Sequence, residues 1–114
     1  MKKLLTIIVA VLLTASIFAQ APQKMSYQAV VRDGSNNLIT NHAVGMQITI
    51  LQNTTPVYTE IQTPTTNANG LVSIEIGDGE GFNNIDWSNG PYFIKTETDP
   101  TGGTSYTITG TSQL

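Results

Sequence analysis

The stretch SIEIGDGEG, residues 73–81, sets Gly77, Gly79 and Gly81 at every second position with Asp78 and Glu80 between them. Two chemistries use such a pattern: glycine-rich backbone can wrap an anion with its N–H groups, and clustered carboxylates can hold a divalent cation. A nucleotide cradle needs a helix behind the loop, with a Lys and a Ser or Thr to complete it. The residues that follow, FNNIDWSNGP, supply neither. As calcium ligands, Asp78, Glu80 and Asp86 offer oxygens, but Phe82 falls where an EF-hand takes a ligand and no glutamate closes the loop. These three acids stand as a candidate metal site on ligand type alone. The structural alternative, which the composition favours, is that the glycines let a strand end, bulge and reverse.

Groups for nucleophilic catalysis are few. Cysteine is absent, and the single histidine, His42, lies in the polar connection ITNHAVG. No serine sits in the glycine pattern of a nucleophile elbow. Carboxylate pairs for sugar hydrolysis could be drawn from Asp78, Glu80, Asp86 and Glu97, but so small a domain leaves little room for a cleft between two positioned acids. The expectation is a non-enzymatic chain without a cofactor. Trp87, in NNIDWSNGPYF, is the residue best suited to bind something: with Phe82 or Tyr92 it could stack on a sugar ring. The competing reading has Trp87 folding back to close one end of the domain, with Asp86 and Ser88 making local turn hydrogen bonds. Asn53-Thr54-Thr55 has the spacing of a glycosylation sequon and reads as a turn.

The elements that must carry these residues alternate with period two, the mark of strands with one buried face. Met25, Tyr27, Ala29 and Val31 alternate with polar neighbours, as do Val44, Met46, Ile48 and Ile50. Val57, Thr59 and Ile61 run against Tyr58, Glu60 and Gln62, and Val72, Ile74 and Ile76 against Ser73 and Glu75. Tyr92, Ile94 and Thr96 follow, then Tyr106 and Ile108. Breakers separate the runs: DGSNN, QNTTP, PTTNANG, NGP and DPTGG. No run after residue 20 has helical periodicity. The pattern predicts an all-β fold, an antiparallel sandwich of six to seven strands, immunoglobulin-like or transthyretin (prealbumin)-like.

The first residues, MKKLLTIIVAVLLTASIFAQAPQ, put two lysines before an apolar run too short to span a bilayer and then small residues. This predicts a signal peptide over residues 1–19, with cleavage after Ala19 in preference to Ala21, no membrane span in the mature chain and an extracellular or cell-surface destination. Taking 19 residues from 114 leaves a domain of 95, residues 20–114, with three basic residues against eight acidic ones and a formal charge of −5. Lys24, Arg32 and Lys95 are scattered, which leaves no electrostatic footprint for nucleic acid or anionic lipid. Without cysteine, an exported domain must hold by packing, sheet hydrogen bonds or association with other chains.

The segments MSYQAVVRD, TNANGLVSIEIG and IDWSNGPYFIKTETDPTGG closely resemble the N-terminal domain of exported surface proteins of Bacteroidota, those labelled tail-fibre-like or collagen-like. The resemblance runs from about Met25 to Leu114. It implies a domain that heads longer proteins, with other subunits or downstream domains as partners and no catalytic role. That family usually continues past GTSQL with a stretch like LSVPYALYA, which implies that a final C-terminal strand is missing here and that an unpaired sheet edge remains.

Overall fold

The computed structural model describes residues 24–114; the expected signal peptide over residues 1–19 lies outside them. Six strands form: β1 Met25–Val30, β2 Gly45–Gln52, β3 Thr55–Gln62, β4 Leu71–Ile76, β5 Tyr92–Asp99 and β6 Ile108–Gln113. Two single 3₁₀ turns, Phe82–Asn84 and Trp87–Asn89, lie in the crossing between β4 and β5. All strand pairs are antiparallel. One sheet is the pair β1–β4, and the other has the order β3-β2-β5-β6. The all-β expectation holds, in six strands and two sheets.

The hydrophobic alternation explains which faces meet. Val72, Ile74 and Ile76 of β4 turn inward against Met46, Ile48 and Ile50 of β2 and Ile94 of β5, and all are buried in one cluster. β2 is the central element, paired on both sides and with Thr49 of its outer face buried as well. The sixth strand begins two residues later than its alternation suggests, because it follows its pairing with β5, from Thr98↔Ile108 to Phe93↔Gln113, and Leu114 N–H adds a bond of 2.9 Å to the Tyr92 carbonyl.

The structure corrects the reading of β3. Hydropathy favours Val57 and Ile61 as the inward set, yet the register Met46↔Gln62, Ile48↔Glu60 and Ile50↔Tyr58 puts Tyr58, Glu60 and Gln62 inside. Ile61 is 61% exposed. β3 lies at the edge of its sheet, where an inward polar side chain can reach the sheet's rim and find a partner.

Four of the connections are ordered by one repeated device, an Asx side chain accepting the N–H two residues on. Asp33 Oδ1 takes Ser35 N–H at 2.9 Å, Asn67 Oδ1 takes Asn69 N–H at 2.8 Å, Asp86 Oδ1 takes Ser88 N–H at 3.1 Å and Asp99 Oδ1 takes Thr101 N–H at 2.9 Å. Asp33 and Asn67 also accept the N–H four residues on. Each side chain closes the turn that its breaker composition begins.

The inversion of β3 has a direct test in urea unfolding. Ile48→Ala, at a fully buried position, is expected to cost about 2–5 kcal/mol by leaving a cavity. Ile61→Ala is expected to stay within about 0.5 kcal/mol, as exposed sites do. Equal losses would contradict the observed register.

Candidate functional site

The glycine loop does cradle an anion, and the anion belongs to this chain. Where β4 ends, Gly77 N–H donates to Glu60 Oε1 at 3.0 Å and Asp78 N–H at 3.1 Å, with Gly79 N–H at 3.4 Å. Tyr58 donates its hydroxyl to the same oxygen and accepts Gly79 N–H at 2.9 Å. Gln62 Nε2 donates to the other carboxylate oxygen and to the Glu75 carbonyl, the latter at 2.7 Å. Side chains of β3, in the larger sheet, thus stitch the end of β4, in the smaller one.

Two of the glycines are required by the backbone and the third by space. Gly77 and Gly81 lie at φ +128° and +92°, a region that side chains rarely adopt. A Cβ on Gly79 would stand 2.5 Å from the Tyr58 hydroxyl.

The electrostatics follow from this geometry. Burial works against the charge on Glu60, but the donors Tyr58, Gln62, Gly77 and Gly79 outweigh it and hold the carboxyl below its ordinary range. The Tyr58 hydroxyl moves the other way, pushed up to about 12 by burial and then by its bond to Glu60. Asp86 is lowered by the Ser88 hydroxyl and N–H, and Asp99 by the Thr101 hydroxyl and N–H. Asp99 is 3% exposed and also accepts Ser105 N–H at 3.0 Å, so one carboxylate orders the whole 99–105 loop.

The structure does not assemble the candidate metal ligands. Asp78 pairs with Lys24, the Asp86 carboxylate is taken up by Ser88 and Asn89, and Glu80 stands exposed. Among the described residues no three His, Asp or Glu side chains converge as a metal set. His42 is exposed, with Nδ1 against the Ala43 carbonyl.

The aromatic residues do come together, in a different role from a flat stacking platform. Tyr58, Phe82, Trp87 and Tyr92 form a chain of edge-to-face contacts with centroids 5.1, 5.8 and 4.9 Å apart. Phe82 and Tyr92 are buried, and Trp87 alone keeps a large exposed surface, 42%. Tyr92 donates its hydroxyl to the Asp86 carbonyl, and Asp86 caps the turn that carries Trp87. Trp87 closes the end of the domain over Phe82 and Tyr92, and its free face borders an open apolar hollow of about 440 Å³ with Lys24, Met25, Phe82 and Leu114.

Sequence reasoning passed over Glu60, Tyr58, Gln62 and Asp99. The available signal was a glutamate sharing one strand face with Tyr58, opposite a glycine loop that lacked any other anion.

This is an all-β protein of two unequal antiparallel sheets, joined at one seam by a carboxylate held in a glycine loop. Residues 26–111 match the profile of the family described as domain of unknown function DUF8740, and the chain belongs to that family. Comparison with curated proteins and with solved structures found no match.

Two measurements test the seam. Because the native pKa of Glu60 is depressed, its contribution is present above its unfolded pKa and is lost as pH falls through the lower native value. Glu60→Gln is therefore expected to cost about 1–3 kcal/mol at neutral pH and to flatten the acid side of the stability profile. An unchanged acid slope would remove Glu60 from the seam. Gly79→Ala is expected to cost about 1–3 kcal/mol, part of which Tyr58→Phe restores in the double variant by vacating the hydroxyl's space. Additive losses would contradict the contact.

Proposed function

We propose that the chain is an exported, non-catalytic structural module that presents or joins other parts of an extracellular or cell-surface assembly. The observation that carries this reading is how the carboxylates are used: Asp86 and Asp99 spend their lone pairs on the amides and hydroxyls of their own loops, and Glu60 on the amides of the loop after β4 and the Tyr58 hydroxyl. An acid or base needs a free lone pair or proton aimed at a substrate. Here the same groups fasten loops. The resemblance to surface-protein domains of Bacteroidota and the leader-like residues 1–19 support the same reading, and among the described residues no helix is long and apolar enough to cross a membrane.

The Trp87 surface favours a second reading, a carbohydrate-binding module. With Phe82 and Tyr92 buried beneath it, the sugar would stack on Trp87 alone.

Expression of the whole chain in a bacterial host with a double membrane, followed by N-terminal sequencing, tests the first reading. The expected product starts at Gln20 and lies outside the cytoplasm; an intact Met1 retained in the cytoplasm would overturn it. A glycan array separates the second: binding lost in Trp87→Ala, with stability retained, would favour the carbohydrate module over the structural one.

A further inference from the structure

Asn69 and Asn89 are the two asparagines of the chain that precede a glycine. That dipeptide carries a chemistry of its own. A glycine nitrogen, with no Cβ to hinder its approach, can close on the carbonyl carbon of the preceding asparagine side chain. The structure treats the two pairs oppositely.

At Asn69 the nitrogen is withheld. Gly70 N–H donates to the Asn67 carbonyl at 3.0 Å, the Gly70 carbonyl accepts Val31 N–H at 2.8 Å, and the residue is buried. Glycine is required there by a φ of +74°, and a Cβ would stand 3.0 Å from Leu38 Cδ2.

At Asn89 the nitrogen is free. Asn89 and Gly90 are both exposed, and Gly90 N–H has no hydrogen-bond partner among the described residues. The first 3₁₀ turn closes with Ile85 N–H on the Phe82 carbonyl, whereas the second reaches Gly90 without such a bond. Gly90 lies at φ −60° and ψ −177°, open to any residue, and a Cβ on it would approach Tyr92 no closer than 3.5 Å. Neither backbone nor space requires this glycine.

Gln52 completes the place. Its Nε2, at the end of β2, donates to the Asn89 carbonyl at 2.9 Å. When Gly90 N–H gives up its proton the negative charge spreads onto that carbonyl oxygen, and a donor already bound there favours the charged form.

We propose that Asn89 and Gly90 form a self-modification site, at which the chain converts Asn89 to aspartate and isoaspartate with water as the one co-reactant. The Gly90 nitrogen forms a bond to Asn89 Cγ, the Cγ–Nδ2 bond breaks, and the Gly90 proton leaves with Nδ2 as ammonia. Water then opens the cyclic imide. Addition at Cγ gives aspartate, and addition at the main-chain carbonyl carbon gives isoaspartate, with the chain rerouted through the side chain.

The product alters the turn that carries Trp87. Asn89 Nδ2 donates to Asp86 Oδ2 at 3.1 Å, an exposed bond that the side chain releases on turning toward Gly90, and Asp86 caps the turn. A carboxylate in place of the amide removes that donor and sets two like charges together. The turn loosens and Trp87 draws away from Phe82 and Tyr92, so the exposed aromatic surface changes with the age of the molecule. This chemistry depends on neither reading of the chain's role.

The test holds the purified chain in mildly alkaline buffer and follows it by peptide mass spectrometry that separates aspartyl from isoaspartyl products. In the folded chain Asn89 is expected to lose its amide roughly tenfold faster than Asn69, whose reaction waits on local opening. In urea the two rates are expected to converge. Gly90→Ala is expected to slow the reaction at Asn89 roughly tenfold, because its Cβ crowds the attacking nitrogen. Gln52→Leu is expected to slow it roughly three- to tenfold in the folded chain and to leave the rate in urea unchanged, a split that loosened packing would not produce. Asn89→Asp is expected to move Trp87 emission to the red, in the direction taken by aged protein. An intact Asn89 amide, equal folded-state rates at Asn69 and Asn89, or a Gln52→Leu chain as fast as the parent would overturn the site. Parent-like emission from Asn89→Asp would overturn its effect on Trp87.

Discussion

The fold depends on burying the inner face of β2. Met46, Ile48 and Ile50 lie at the centre of the four-stranded sheet, are covered by β4, and are almost completely removed from solvent. With no cysteine in the chain, no disulfide reinforces that contact. Everything at the periphery is arranged around keeping the two sheets facing each other across this row.

That constraint gives the polar side chains their roles. The seam formed by Glu60, Tyr58 and Gln62 acts where two separate sheets could slide or part, and it does so through a charged acceptor bound by several donors, which is stronger than a neutral hydrogen bond. The Asx-capped turns limit how the strands enter and leave the layers. Trp87, resting edge-on over Phe82 and Tyr92, plugs the end where the chain crosses from β4 to β5. The loop that binds an internal anion thus ends beside the one aromatic side chain of this cluster that stays exposed, Trp87.

The other consequence of joining a two-stranded sheet to a four-stranded one is that part of the larger sheet stays exposed. A small sheet cannot cover the whole inner face of a larger one, and β6 beyond the half-buried Ile108 is exposed and polar. A polar strand of this kind tolerates water on that face.

Much of this architecture was legible in the residues. Alternation gave the correct inward face for β1, β2, β4 and β5, because in each of them the apolar set is the more buried one, and most breaker clusters marked turns that an Asx side chain closes. Trp87 was identified from its type alone, and its packing over Phe82 and Tyr92 agrees with the reading in which it closes the domain. The face of β3 and the purpose of the glycine loop were not legible. Glu60 and Gly77 are far apart in sequence, and whether a glutamate points in or out of an edge strand depends on its register with β2, which local hydropathy does not encode. The sequence by itself determined the strands and the turns, since these follow from side-chain period and backbone preference. Only the tertiary structure decided which carboxylate the glycine loop would hold and which face of β3 would turn inward, since both depend on the pairing of segments far apart in the chain.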